Sequence, residues 1–252
     1  MVKTITTYKE KSDKTYIPVA LLKFGKLKHL EDLLNNGTLY VSSIQEIRKL
    51  NEGESDKDNF RNDPAEGAIS HHNTGPAKAH FQDLKSPTGE PLSVDLLNVS
   101  FYKKPEFVLG NICSFYGITN ECFIDNKLIP VDPNMKYFGD HFLFIRNFDE
   151  FIRRIDVAIE KTTKTSWYYG YVNYFNEDTF TGKLNLFKKR SRYSFQKEFR
   201  LYFDTKNKTY IKIKLGNLSD IATIISSDVL ENFSMTLNLE EKYGHVKWLT
   251  PS

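Results

Sequence analysis

Tyr193-Ser194-Phe195-Gln196-Lys197-Glu198-Phe199-Arg200-Leu201-Tyr202-Phe203 is the stretch on which the reading of this chain turns. Phe199, Leu201 and Phe203 alternate with Glu198, Arg200 and Tyr202, the period of two of a strand with one buried face. Gln196 and Glu198 stand at its start, on one side and about 7 Å apart if the backbone is extended there. An amide and a carboxylate at a strand's mouth, among basic and aromatic residues, form a candidate site. The plain alternative is a solvated strand end, or a Glu198 that simply pairs with Arg200 on the same face.

The surrounding charge is one-sided. From Lys183 to Lys214 eleven Lys or Arg stand against two acids, Glu198 and Asp204, although the whole chain carries only +3. Such a field attracts a polyanion or a phosphate-bearing ligand. The run Lys188, Lys189, Arg190 and Arg192 is the candidate nucleic-acid contact, unless it is a solvated lysine-coated face. The remaining composition, 40% hydrophobic and 27% charged over 252 residues, is that of an ordinary globular chain with ample material for a core. Cys113 and Cys122 lie in apolar surroundings without Cys-x-x-Cys spacing, which fits reduced core thiols and a cytoplasmic setting. No apolar run reaches the ~18 residues of a membrane span, and Met1 to Lys14 has no apolar signal core.

Along the chain, residues 1–16 read as a polar arm. Val19 to Phe24 reads as a strand, and Leu27, Leu30, Leu33 and Leu34 as a helix stopped by Gly37. Thr38 to Ser42 reads as a second strand, followed by a short helix from Ile44 to Leu50. From Asn51 to about Ser93 the pattern breaks: three of six His and four of nine Pro fall here, with almost no periodic apolar residues. A long irregular insertion is expected, serving as a lid. His71, His72 and His80 have no zinc spacing, and no metal is expected. Farther on, strands are expected at 108–116, 142–145, 167–175, 184–187, 199–203, 210–215, 221–225 and 246–249. A helix is expected from Phe148 to about Thr163, and a short one from Ser226 to about Leu237. Without regular strand–helix alternation, the expectation is a single α+β domain over 1–252, with mixed, largely antiparallel sheets and a few peripheral helices.

Several chemistries are excluded. Neither Gly-x-x-x-x-Gly-Lys nor Gly-x-Gly-x-x-Gly occurs, and there is no Gly-x-Ser-x-Gly elbow. Gln196-Lys197-Glu198 at the head of a late strand resembles the Gln/Glu-x-Glu signature of ADP-ribosyltransferases, which transfer ADP-ribose from NAD. The order of the earlier islands is similar: Leu21-Leu22-Lys23-Phe24, a Leu-rich helix, then Leu39-Tyr40-Val41-Ser42-Ser43. The first strand departs from the family in holding Lys23 where a His or Arg is usual. Asn62-Asp63-Pro64-Ala65-Glu66 and Gln196-Lys197-Glu198-Phe199-Arg200 also resemble elements of a group of uncharacterised bacterial proteins. Together these islands cover about a fifth of the chain.

The resemblance implies an ADP-ribosyltransferase-like fold with NAD as substrate. Cleavage of the nicotinamide–ribose bond passes through an oxocarbenium-like state, which a carboxylate stabilises. Glu198 would take that role, and Gln196 would position the acceptor. Lys23 or Arg61 would hold the diphosphate, Tyr40 or Phe24 would stack on nicotinamide, and Ser42 would bond its amide. A macromolecular acceptor, nucleic acid or protein, fits a bacterial or phage toxin or defence enzyme with a cognate antitoxin or inhibitor protein. Each residue also has a plainer role: Tyr40 in the sheet, Ser42 as a cap, Lys23 as a solvated strand residue, and Arg61 paired with Glu66. Two readings without catalysis stand beside the enzyme. One is a basic, aromatic-rich sheet that binds single-stranded nucleic acid; the other is a transferase-like fold that has lost activity and binds a protein partner.

Overall fold

The computed structural model describes residues 17–51, 63, 66–103, 109–162 and 165–236. In chain order the elements are β1 (Pro18–Gly25), α1 (Leu27–Asn36), β2 (Thr38–Ser43), α2 (Ile44–Asn51), β3 (Ala68–Lys85) and β4 (Pro91–Tyr102). There follow β5 (Asn111–Thr119), β6 (Phe123–Ile124), β7 (Lys127–Leu128), β8 (His141–Ile145), α3 (Phe148–Thr162), β9 (Trp167–Tyr171) and β10 (Asn173–Phe175). The series closes with β11 (Gly182–Lys183), β12 (Lys188–Arg190), β13 (Glu198–Phe203), β14 (Ile211–Lys214) and β15 (Ala222–Ser226). The architecture is α+β and sheet-rich, as expected. The expected arm at 1–16 and strand at 246–249 lie outside the described residues.

An eight-stranded antiparallel sheet organises the rest, in the order β14-β2-β5-β1-β8-β15, with β13 and then β9 attached through β5. β13 pairs with β5 continuously from Glu198↔Tyr116 to Phe203↔Asn111 and so occupies one edge of it from Asn111 to Tyr116. The other edge is shared. β1 takes Tyr116 to Thr119, and β2 takes only Asn111 and Ile112. Among the described residues Cys113 to Phe115 therefore have no strand on that edge, and the sheet parts between β1 and β2.

Alternation along the strands sorts the two faces. Leu21, Val41, Cys113, Phe115, Phe199, Leu201 and Phe203 pack with Leu30 and Leu33 of α1 and with Phe151, Ile155 and Ile159 of α3 in the larger core. These helical residues recur at three- and four-residue spacing, so one stripe of each helix faces the sheet. Over the opposite face, Leu22, Tyr116, Phe142 and Phe144 are capped by the 3-10 turns that supply Met135, Leu230 and Phe233. The second of these is the helix expected after Ser226, shortened to Ser227–Asn232.

Two expectations are corrected. The segment expected to be irregular contains the long antiparallel hairpin β3–β4, turned at Ser86–Glu90 by Gly89 N–H to Ser86 O (2.9 Å) and Ser86 N–H to Glu90 O (2.8 Å). Gly75-Pro76 read as a break, but the ladder absorbs it as a register shift between Asn73 and Ala77. The alternation was hidden because small residues carry much of it. Ala77/Leu96, Ala79/Val94 and Phe81/Leu92 share one face, Lys78/Asp95 and His80/Ser93 the other. The strand expected at 184–187 is a turn instead. Asn185 Oδ1 accepts from Phe187 N–H (2.8 Å), and its carbonyl accepts from Lys188 N–H (3.1 Å). A short polar side chain that bonds the backbone locally competes with a ladder.

Gly37 is the tightest local requirement. It ends α1 in the left-handed region (φ 60°, ψ 26°), and a Cβ there would lie 2.0 Å from the Gly216 carbonyl oxygen. Gly89 is also left-handed (φ 86°), but nothing lies within 4 Å of its missing Cβ. Gly37→Ala should therefore lose at least about 2 kcal/mol of unfolding free energy, against about 1 kcal/mol for Gly89→Ala, as read from urea denaturation midpoints. Equal losses would show that backbone strain alone matters at Gly37.

Candidate functional site

The site is built at the start of β13. A 3-10 turn, Ser191–Gln196, ends at Lys197, whose left-handed backbone (φ 37°, ψ 50°) reverses the chain before the strand begins. The turn is fixed by Lys197 N–H to Ser194 O (3.1 Å) and by Gly117 N–H to Lys197 O (2.8 Å). Gln196 is therefore not on an extended strand. It still meets Glu198, because Lys189 Nζ of β12 donates to Gln196 Oε1 and to Glu198 Oε1, each at 2.5 Å.

Glu198 is 7% exposed and held on every side. Its Oε2 accepts from Arg200 Nε (2.6 Å) and from Ser114 Oγ (3.1 Å). Its backbone N–H donates to the Tyr174 hydroxyl at 2.9 Å. Arg200, 2% exposed, spans two carboxylates. Beyond Glu198 its Nη1 and Nη2 each reach a Glu66 oxygen at 2.7 Å, and Nη1 also donates to Leu186 O (2.5 Å). Beside this group, Arg190 donates through Nε to Asp63 Oδ1 (2.7 Å) and through Nη1 to Glu177 Oε2 (3.1 Å). Glu66 N–H to Asp63 O (2.8 Å) closes the turn that carries both acids.

Burial alone would push the Glu198 carboxyl up, but Arg200 and Lys189 outweigh it and hold the group well below the usual carboxylate range. Burial likewise disfavours the charged guanidinium of Arg200, and the carboxylates of Glu198 and Glu66 overcome it. The Tyr174 phenol is pushed up, first by burial and then by Glu198. Glu198 is therefore a permanent anion at neutral pH. It cannot act as a general acid, and it can face a developing cation.

The candidate residues divide by face. Arg200 is directly opposite Ser114, Glu198 opposite Tyr116, and Ser42 opposite Ile112, so all share one side of the sheet. Tyr40, two residues before Ser42, and Phe24, two after Leu22 (itself opposite Tyr116), fall on that side by alternation. Tyr40 and Ser42 are exposed; Phe24 is half-buried against Phe142, ring centroids 5.4 Å apart. Lys23 points to the other side. Its Nζ enters the parting from the core, donating to Ser114 O (2.8 Å) and Cys113 Sγ (3.3 Å), 5.1 Å from the Phe115 ring centre. Lys23 is thus half-buried and bonded to the sheet, where a solvated residue or diphosphate contact was expected. Arg61 lies outside the described residues.

The basic run is corrected in the same way. Lys189 (2% exposed) and Arg190 turn inward because buried carboxylates await them. Lys188 is half-buried, with Nζ 4.8 Å from the Phe180 ring centre, and Arg192 alone of the four is exposed, its guanidinium 5.3 Å from the Tyr193 ring centre. Sequence reasoning missed Asp63, Glu66 and Tyr174 as partners of these groups. The two acids three residues apart in an Asn-Asp-Pro turn were the available signal, since an internal basic run needs acids to match it. Ser114 gave no signal.

Among the described residues no group of three or more His, Cys, Asp and Glu side chains could hold a metal ion. No described helix is long and apolar enough to cross a membrane. Comparison with family models, curated proteins and solved structures finds no match.

Removing one partner from a buried ion pair leaves an uncompensated charge, so Arg200→Met should lose about 3–5 kcal/mol of stability, measured by urea denaturation at pH 7. The pH dependence follows from the lowered Glu198 carboxyl. Its contribution is complete above the unfolded-state value of about 4.3 and is lost as pH falls below it toward the lower folded-state value. Denaturation midpoints should therefore drop below about pH 4.5, and Glu198→Gln should flatten that part of the profile. An unchanged slope would show that Glu198 is not the titrating group.

Proposed function

We propose that this chain has an ADP-ribosyltransferase-like fold and transfers ADP-ribose from NAD to a macromolecule. The observation that carries the reading is the parting of β1 and β2 on one edge of β5, with Ser114 at the parting hydrogen-bonded to the Glu198 carboxylate. The resemblance expects two early strands and the later Gln-x-Glu strand to meet around one NAD site, and here all three border β5. Phe24 and Ser42 share the face on which Glu198 sits, which supports the roles suggested for them.

The chemistry asks for an anion. As the nicotinamide–ribose bond breaks, positive charge gathers on the ribose, and a carboxylate fixed in place before the reaction stabilises it without reorganising. Glu198 is ionised and immobilised by three side-chain donors, and Glu66 offsets the charge of Arg200 on its far side. Gln196, tied to the same ammonium as Glu198, would orient the acceptor. The proposed setting is cytoplasmic bacterial or phage conflict, as toxin or defence enzyme, with a cognate inhibitor protein as partner. The two cysteines, buried and unbridged, suit a reducing compartment.

A second reading is favoured by one observation. Both Glu198 oxygens are already engaged by Lys189, Arg200 and Ser114, as a structural clamp would have them. On that reading the cluster only binds the Asp63–Glu66 turn to β12 and β13, and the protein acts by binding.

Nicotinamide release from NAD by the purified protein, with and without added single-stranded nucleic acid or a cell extract as acceptor, separates the two. The transferase reading expects turnover that falls at least about 100-fold in Glu198→Gln, with Ser114→Ala losing less. Thermal melting of each variant shows whether the fold survives. Absence of turnover with every acceptor, or full turnover in a folded Glu198→Gln, would leave the clamp.

A further inference from the structure

The basic run nearest Glu198 is largely internal, so a polyanion would need another surface. One lies on the same face of the sheet, at the opposite side of β5. Among the described residues β14 is the outermost strand of the sheet and pairs only with β2, and Lys212 stands directly opposite Tyr40. Tyr40 is 42% exposed and Tyr210 52% exposed, and the two rings lie side by side. Their centroids are 6.1 Å apart with the planes 44° from each other. Lys212 Nζ sits 5.0 Å from the Tyr40 ring centre and 5.8 Å from that of Tyr210.

More cations flank the rings. Lys206 and Lys208 are exposed on the loop before β14. That loop is tied down: Ser43 Oγ donates to Lys208 O (2.8 Å), Asn111 Nδ2 donates to Thr209 O (2.9 Å), and Thr205 Oγ1 bonds Asn111 Oδ1. Three acids stand near the patch, and all are engaged by protein groups: Glu46 accepts from Ser43 N–H (3.1 Å). Asp204 accepts from the Tyr202 hydroxyl (3.3 Å), and Asp32 accepts from Asn36 (2.9 Å) and Thr38 (3.1 Å). Two exposed aromatic faces with ammonium groups beside them, on anchored backbone, match what a single strand offers: unstacked bases at the spacing of its phosphates. A duplex hides its base faces and fits only the charge.

We infer that the β2–β14 edge binds single-stranded nucleic acid, with bases stacked on Tyr40 and Tyr210 and phosphates held by Lys206, Lys208 and Lys212. Tyr40 is then an acceptor contact rather than a nicotinamide stack. As the acceptor's dock this surface rests on the transferase reading; as a binding surface it does not, because binding is measured without NAD.

The test is fluorescence anisotropy of the full-length protein with labelled twelve-nucleotide dT and U oligomers, and with a duplex of the same length, between 50 and 200 mM salt. Binding should favour the single strands, with log affinity falling against log salt at a slope of about −2, as three phosphate contacts give. The dT and U arms distinguish DNA from RNA. Replacing Tyr40 and Tyr210 together by Ala should weaken binding at least about 10-fold, while Tyr→Phe at both should restore most of it, because the ring face and not the hydroxyl carries the stacking. Lys206, Lys208 and Lys212→Gln together should flatten the salt dependence; Lys78 and Lys85→Gln on the β3–β4 hairpin should not. No binding at 50 mM salt, equal affinity for duplex, or indifference to the double Tyr→Ala variant would overturn the inference. Strand binding without NAD turnover would remove the transferase reading alone, and turnover without strand binding would remove this one alone.

Discussion

Arg200 is the constraint on which the rest depends. Its guanidinium lies inside the protein and spans Glu66 on one side and Glu198 on the other, so a charge from far away in the chain and two from one strand must be placed together or not at all. Each charge alone would carry a desolvation penalty of several kcal/mol, and only good hydrogen-bond geometry offsets it. Lys189 completes the balance: two carboxylates, one guanidinium and one ammonium, neutral as a set. A register slip of one residue in β13 would turn Glu198 and Arg200 into the apolar core and Phe199 out of it. The ion cluster and the hydrophobic alternation therefore specify the same register independently.

That double specification explains why the strand was legible in the sequence and the site was not. Period-two alternation from Phe199 to Phe203 is a local pattern, and the strand forms where it predicts. The Leu spacing of α1 and the Phe/Ile stripe of α3 were equally local. Burial of a charge is not local. Nothing in Lys188-Lys189-Arg190 says that the second and third will turn inward, since that depends on the acids they meet, Glu198 for Lys189 and Glu177 and the sequence-distant Asp63 for Arg190. The β3–β4 hairpin was missed for a different reason. Its alternation is carried partly by Ala77 and Ala79 and is interrupted by Gly75-Pro76, so a count of large apolar residues misses a ladder that tolerates an irregularity.

Gln196 shows how a correct expectation can have the wrong cause. An extended backbone would have put it beside Glu198 by alternation. The chain instead folds a 3-10 turn and passes through a left-handed Lys197, a conformation that costs a non-glycine residue roughly 1–2 kcal/mol. The two side chains converge because one ammonium draws both oxygens, not because the strand aligns them. Strain at this position, between the two residues of the motif, is of the kind that surrounding structure must over-determine to keep. Gly117 N–H on the Lys197 carbonyl and Ser194 O on its amide do so.

The parting of the sheet follows from the same balance. A strand has two edges, and β13 takes one edge of β5 along the whole stretch between its ends at Asn111 and Tyr116, because the alternation of both strands and the Arg200–Ser114 register run unbroken there. β1 and β2 must then share what is left. They diverge because each is held elsewhere: β1 by its ladder to β8 from Leu21 to Gly25, β2 by its ladder to β14 from Thr38 to Val41. The backbone exposed between them at Ser114 needs a donor for its carbonyl, and Lys23 provides it from the core side. The opposite face of the same residue is left for Ser114 Oγ to meet Glu198. A lysine here thus satisfies the sheet itself, which is why the position that the resemblance would give to a ligand contact is occupied by a residue turned the other way.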